Sequence, residues 1–164
     1  MLKITLKMKT YNILSIQEFK TIIGDNSRLL GIDPGKTNVG LAICDENKKV
    51  ATPMKIIKKK KLVSLLDEIN KIINDNHIKG IVIGNPINMD GSVGKSSKSA
   101  LEFAKNLSKN IRIPIVLWDE RLSSAGAFKI TSFLEDNVTN RVKNLDKNAA
   151  AFILQGAIDY LNIN

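Results

Sequence analysis

The chain has 164 residues, 43% of them hydrophobic, which suffices for one compact domain with a sizeable core. No stretch reaches the ~18 apolar residues of a membrane span, and the opening MLKITLKMKTYNILSI lacks an apolar segment followed by a cleavage site, so we expect a cytoplasmic protein. One cysteine, Cys44, excludes an internal disulfide, one histidine, His77, argues against a structural zinc site, and a net charge of +9 points to a polyanion such as nucleic acid. Lysine, isoleucine and asparagine all have A/T-rich codons, so composition drift is the bland source of part of that charge.

Residues 1–28 stand apart and read as an N-terminal extension before a single domain over 29–164. Within them SIQE fits a capping box, with Ser15 at the N-cap and Glu18 at N3, opening a helix IQEFKTII that Gly24 ends. LLGI, VGLAIC and VATPMKII then read as three strands of a meander. DENKK is the second turn, and Pro53 predicts an edge position for the third strand.

The period then changes. Leu62, Leu65, Leu66, Ile69, Ile72 and Ile73 form one helix face. IKGIVIGNP is a buried strand ending at Gly84-Asn85-Pro86, and NMDGSVGKSS is a polar loop. Ala100, Phe103, Ala104 and Leu107 mark a second helix, and IPIVLWDER is another buried strand with acids at its C-terminal end. Ser123 or Ser124 caps a third helix through about Leu134, EDNVTNRVKN is a polar loop, and the last helix aligns Ala150, Ile153, Leu154, Ala157, Ile158 and Leu161. The order β-β-β-α-β-α-β-α-α predicts one mixed sheet covered on both faces.

Gly35-Lys36-Thr37 ends as a phosphate-binding P-loop does. Such a loop needs G-x-x-x-x-G-K-[ST] leading into a helix. Here only three residues separate Gly31 from Gly35, and NVGLAIC reads as strand. DPGKTNVG is therefore a hairpin connection, with Pro34 fixing φ and Gly35 permitting a positive φ.

Asp33 ends an apolar strand, where starting a turn is its ordinary use. Other acids change its weight. Asp119 and Glu120 also close a strand, at the sheet edge where open α/β folds bind ligands. Asp146 lies four residues before Ala150, on the apolar face of the last helix at its first turn. Taken singly, Asp146 complements a helix dipole, and Asp119 and Glu120 pair with Arg121. Gathered together, these carboxylates repel unless cations neutralise them. Oxygen ligands without nearby His or Cys suit Mg²⁺ or Mn²⁺. Two such ions about 4 Å apart hydrolyse phosphodiesters.

LLGIDPGKTNVGLAICD, GIVIGNPINMDGSVGKSSKSALEFAKNL, VLWDERLSSAGA and LDKNAAAFILQGAIDYL resemble, in order, the motifs of the YqgF family. These are the Holliday junction resolvase-like proteins also described as pre-16S rRNA nucleases. The resemblance covers residues 29–161. It implies a ribonuclease-H-like α/β fold with five strands in order 3-2-1-4-5, strand 2 antiparallel, and helices on both faces. By that resemblance Asp33, Glu120 and Asp146 are catalytic and ligate metal, two Mg²⁺ or Mn²⁺ ions, with Asp33 bridging and Asp119 the substitute for Glu120. Arg121 contacts the scissile phosphate or orients a carboxylate. Lys36, Lys95, Lys98, Arg141, Lys143 and Lys147 contact nucleic acid. The family usually has Arg at Asn38, Ser at Cys44 and Leu at Asn85.

The implied activity is metal-dependent endonuclease cleavage of structured RNA, at the 5′ end of precursor 16S rRNA, by a monomer or weak homodimer. Branched DNA is the alternative substrate, as in a Holliday junction resolvase. A non-catalytic RNA-binding assembly factor is a second alternative, allowed by Asn38. An actin-like ATPase lobe shares the D-x-G-x-T pattern at Asp33, Gly35 and Thr37, but 164 residues supply one lobe and ATP needs two. KIIKKKKL, residues 55–62, either tracks a phosphate backbone or is solvated. Trp118 is expected in the core, His77 at a solvated helix end, and Cys44 packed.

Overall fold

A computed structural model describes residues 12–122 and 145–163, and side chains in the second segment from residue 148 onward. Residues 29–58 form the meander. Strand β2 (Leu29–Pro34) pairs antiparallel with β3 (Asn38–Cys44), which pairs antiparallel with β4 (Ala51–Lys58). Strands β5 (Gly80–Asn85) and β6 (Ile115–Asp119) add in parallel on the other side of β2.

The expected five-stranded sheet is corrected to six. Strand β1 (Ile13–Leu14) lies parallel to β6, giving the order β1-β6-β5-β2-β3-β4. A free edge of β6 leaves backbone groups to satisfy. Residue Asn12 meets part of that need: its carbonyl accepts from the Ile115 N–H at 2.9 Å, and its side-chain amide donates to the Ile111 carbonyl at 2.9 Å. A two-residue strand has no period, so its sequence carries no strand signal.

Helix α1 (Ile16–Ile23) follows at once. The Glu18 N–H donates to Ser15 Oγ at 3.2 Å, and Gly24 closes the helix at φ 70°, as the capping reading expects. Phe19 is fully buried and packs over Gly80, where a Cβ would lie 2.7 Å from Phe19 Cζ. Lys48, in the β3–β4 turn, is also buried and donates from Nζ to the Gly24 carbonyl at 3.0 Å. Residues 12–28 thus share the core and the sheet of the following residues.

Two helices cover one face. Helix α2 (Leu62–Asp75) buries Leu65, Leu66, Ile69, Ile72 and Ile73, and α3 (Lys95–Asn110) buries Ala100, Phe103, Ala104 and Leu107. Leu62, the first residue of the predicted stripe, is 45% exposed because it begins the helix before the sheet. Helix α1 and the long α4 (Leu145–Ile163) cover the other face. Helix α4 buries all six predicted stripe residues, and Ala151 and Gln155 as well. It crosses β2, β3 and β4 closely, since a Cβ on Gly31 would lie 2.7 Å from Leu154 Cβ.

Strand β4 is an edge, as Pro53 requires. The pairing slips there: Ala42 faces Pro53 and Leu41 faces Lys55, leaving Met54 unmatched. The predicted helix from Ser123 or Ser124 and the loop EDNVTNRVKN lie outside the described residues. Among the described residues no helix is long and apolar enough to cross a membrane.

Candidate active site

Strands β2, β5 and β6 are parallel, so their C-terminal ends meet at one edge of the sheet. Asp33 closes β2, opposite Gly40 in the β2–β3 ladder. Glu120 opens a single 3₁₀ turn, Glu120–Leu122, directly after β6. Both line one open cleft of about 710 Å³, whose far wall is Ala149, Phe152 and Ile153 of α4.

The Glu120 carboxyl is pushed above the ordinary glutamate range, first by burial, then by the charges of Asp33 and Asp119. A half-buried acid whose ionisation is opposed by a neighbouring carboxylate beside an apolar wall forms a place for a cation. The donors are hard oxygens, and Cys44 and His77 do not line the cleft, so the set fits Mg²⁺ or Mn²⁺. Among the described residues no three acidic, His or Cys side chains converge as a metal-binding group. The expected third ligand, Asp146, lies in the first turn of α4, one turn before Ala149, and its side chain is outside the described set.

The family profile described as RuvX, Holliday junction resolvase, matches residues 27–160. The chain belongs to that family. A Pelagibacter ubique (strain HTCC1062) protein named "Putative pre-16S rRNA nuclease" is 51% identical over 150 residues, covering 92% of this chain and 99% of that protein. One of the same name from Ruegeria pomeroyi is 40% identical, covering 90% of this chain and 96% of its own length. Among solved structures, Thermus thermophilus RuvC superposes with a TM-score of 0.54 at 12% identity, covering 83% of this chain and 96% of that one. The same protein in complex with a Holliday junction substrate gives 0.52 at 13% identity, covering 84% and 96%. Those likenesses show the ribonuclease-H-like fold.

In this RuvX-family chain Asp119 does not line the cleft. Arg121 grips it, donating from Nη2 to Oδ2 at 2.7 Å, from Nε to Oδ1 at 3.0 Å and from the backbone N–H to Oδ1 at 3.0 Å. That grip holds the Asp119 carboxyl below its usual range. Neither residue lines the cleft, so the structure sets Glu120, and not its expected substitute Asp119, beside Asp33. Arg121 orients a carboxylate, the Asp119 one, and its exposed tip nears Gly91.

Lys36, from the β2–β3 turn, and Lys95, opening α3, line the cleft, whereas Lys98 is exposed on α3 outside it. Arg141 and Lys143 fall outside the described residues, as does the Lys147 side chain. The positive φ expected of Gly35 is not observed: the described glycines with positive φ are Gly24 and Gly91. Close approach explains Gly35 instead, because a Cβ there would sit 2.4 Å from the Asn38 carbonyl oxygen. Gly35-Lys36-Thr37 leads into β3, a strand, so no P-loop forms.

Two residues at or near the cleft make contacts that the sequence does not show. One is Lys59, the single member of the lysine run 58–61 that lines the cleft. A run of identical charges has no internal mark of which residue turns inward. The other is Asn85, whose Oδ1 accepts from Ser97 Oγ at 2.5 Å, tying the end of β5 to the first turn of α3. Trp118 is buried, edge-on to Tyr160 with ring centroids 5.4 Å apart, and does not line the cleft.

Proposed function

We propose that this chain is a metal-dependent endonuclease that cleaves precursor 16S rRNA near its 5′ end during ribosome biogenesis in the cytoplasm. The observation that carries the reading is the pairing of Asp33 with half-buried Glu120 in one lysine-rimmed cleft. The names of the curated relatives support the RNA substrate.

Asp33, Glu120 and Asp146 would hold the divalent metal, Mg²⁺ or Mn²⁺. When bound, such ions supply a hydroxide-like water and offset charge on the leaving oxygen. Lys36 and Lys95 hold phosphates against the carboxylates, and the exposed Lys98, with Arg141, Lys143 and Lys147, extends that contact along the strand. The apolar wall of Phe152 and Ile153 lowers the dielectric beside Glu120, which strengthens the contacts made inside the cleft.

The test is cleavage of a precursor 16S rRNA 5′ leader with Mg²⁺ or Mn²⁺. Asp33→Asn should lose at least about 100-fold in rate while retaining the fold. Unchanged cleavage by that variant overturns the assignment, and RNA binding without cleavage by the unsubstituted protein favours a non-catalytic assembly factor. The family description favours a second reading, resolution of four-way DNA junctions. Running both substrates side by side separates the two.

A further inference from the structure

We infer that Lys59 is a built phosphate-binding residue of this cleft, held in place by Phe103 and Thr37, and that it grips the substrate strand beside the scissile phosphodiester. The inference rests on the nuclease reading and names a contact that the sequence pattern leaves undefined.

Residues 58–61 are four consecutive lysines, all exposed along the chain from the end of β4 into the start of α2. A flexible lysine in solution gives little affinity, because ordering it costs rotamer freedom. Lys59 differs from its neighbours in three ways. Its backbone N–H donates to the Thr37 carbonyl at 2.8 Å, tying it to the tip of the hairpin that carries Asp33. Its ammonium sits 5.6 Å from the centroid of the Phe103 ring, within range of a cation–π contact. Its side chain lines the cleft that holds Asp33 and Glu120, whereas Lys58, Lys60 and Lys61 do not.

Phe103 is 5% exposed and belongs to the core under α3, so the surface under the ammonium is rigid. Lys59 is thus restrained before substrate arrives, and less freedom is lost on binding. Its position also matters. With Lys36 and Lys95, Lys59 makes three cations from three separate elements along one cleft. Phosphates of a single nucleic-acid strand, rather than one small anion, suit such a spread.

The experiment measures binding of a fluorescent stem-loop RNA and a fluorescent four-way DNA junction, with Ca²⁺ in place of Mg²⁺, over a range of salt. Lys59→Ala should weaken binding about 5- to 10-fold and flatten the log K against log salt slope by about 0.7–0.9, the release of one phosphate contact. Lys60→Ala, from the same run, should change affinity less than about 2-fold, and Lys59→Arg should retain binding. Phe103→Leu keeps the core apolar and should give part of the Lys59→Ala loss with the slope unchanged. Equal effects of Lys59→Ala and Lys60→Ala would overturn the inference. Failure of the unsubstituted protein to bind either probe would overturn the nuclease reading itself.

Discussion

Gly84 leaves the space that the Glu120 carboxylate occupies. A Cβ on Gly84 would lie 2.9 Å from Glu120 Oε1 and 2.5 Å from Ile153 Cδ1. Both are the mobile ends of side chains, so they can move, but moving them displaces the acid and the cleft wall together. Gly84→Ala should therefore cost about 1–3 kcal/mol in denaturant unfolding and reduce cleavage more than about 10-fold. Full activity in a destabilised variant would show that Glu120 tolerates displacement.

The two neighbouring acids should separate sharply. Glu120 faces Asp33, and Asp119 is held by Arg121. Glu120→Gln should cut the cleavage rate by about 100-fold or more, and Asp119→Asn by less than about 10-fold. Single-turnover rates at saturating metal measure the difference.

Burial and the Asp33 charge raise the Glu120 carboxyl in the folded chain. A group that ionises more easily when unfolded weighs against folding once it is ionised. Without metal, Glu120→Gln should raise the melting temperature at pH 7. The gain should shrink as pH falls through the raised Glu120 value and vanish below the ordinary glutamate range. Added Mg²⁺ should stabilise the unsubstituted protein and not the variant.

Phe19 tests whether residues 12–28 belong to the folded unit. It is fully buried, against Gly80, in the core shared with α4. Phe19→Ala should cost about 3–5 kcal/mol. A loss below about 1 kcal/mol would mark α1 as a detachable appendage.

Cys44 is 3% exposed, accepts the Leu29 N–H at 3.3 Å, and has its thiol pushed up mainly by burial. A thiol reagent at pH 8 should label it only as fast as the protein opens. Labelling kinetics with and without denaturant give that rate.

Much of the architecture was legible because it rests on local pattern. The stripes of α2, α3 and α4, the Ser15–Glu18 cap and the edge position of Pro53 each follow from side chains within a few residues. Strand β1 was not legible, since Ile13 and Leu14 become a strand only beside Ile115 and Val116. The reason for Gly35 was not legible either. Its need arises from the Asn38 carbonyl, three residues on, and not from a positive φ.

The candidate site divides in the same way. Asp33, Glu120 and Asp146 stood out as acids at strand and helix ends, a pattern that sequence spacing and family resemblance both carry. Whether Asp119 or Glu120 turns to Asp33 depends on the 3₁₀ turn after β6 and on the Arg121 grip. Which of four lysines enters the cleft depends on a ring from α3 and a carbonyl from the hairpin. By itself the sequence determined most of the described elements, their apolar faces and the kind of chemistry that clustered acids perform. Only the tertiary structure decided which charges meet, because contacts between residues far apart in the chain are set by strand order and helix docking, and local periodicity carries no record of either.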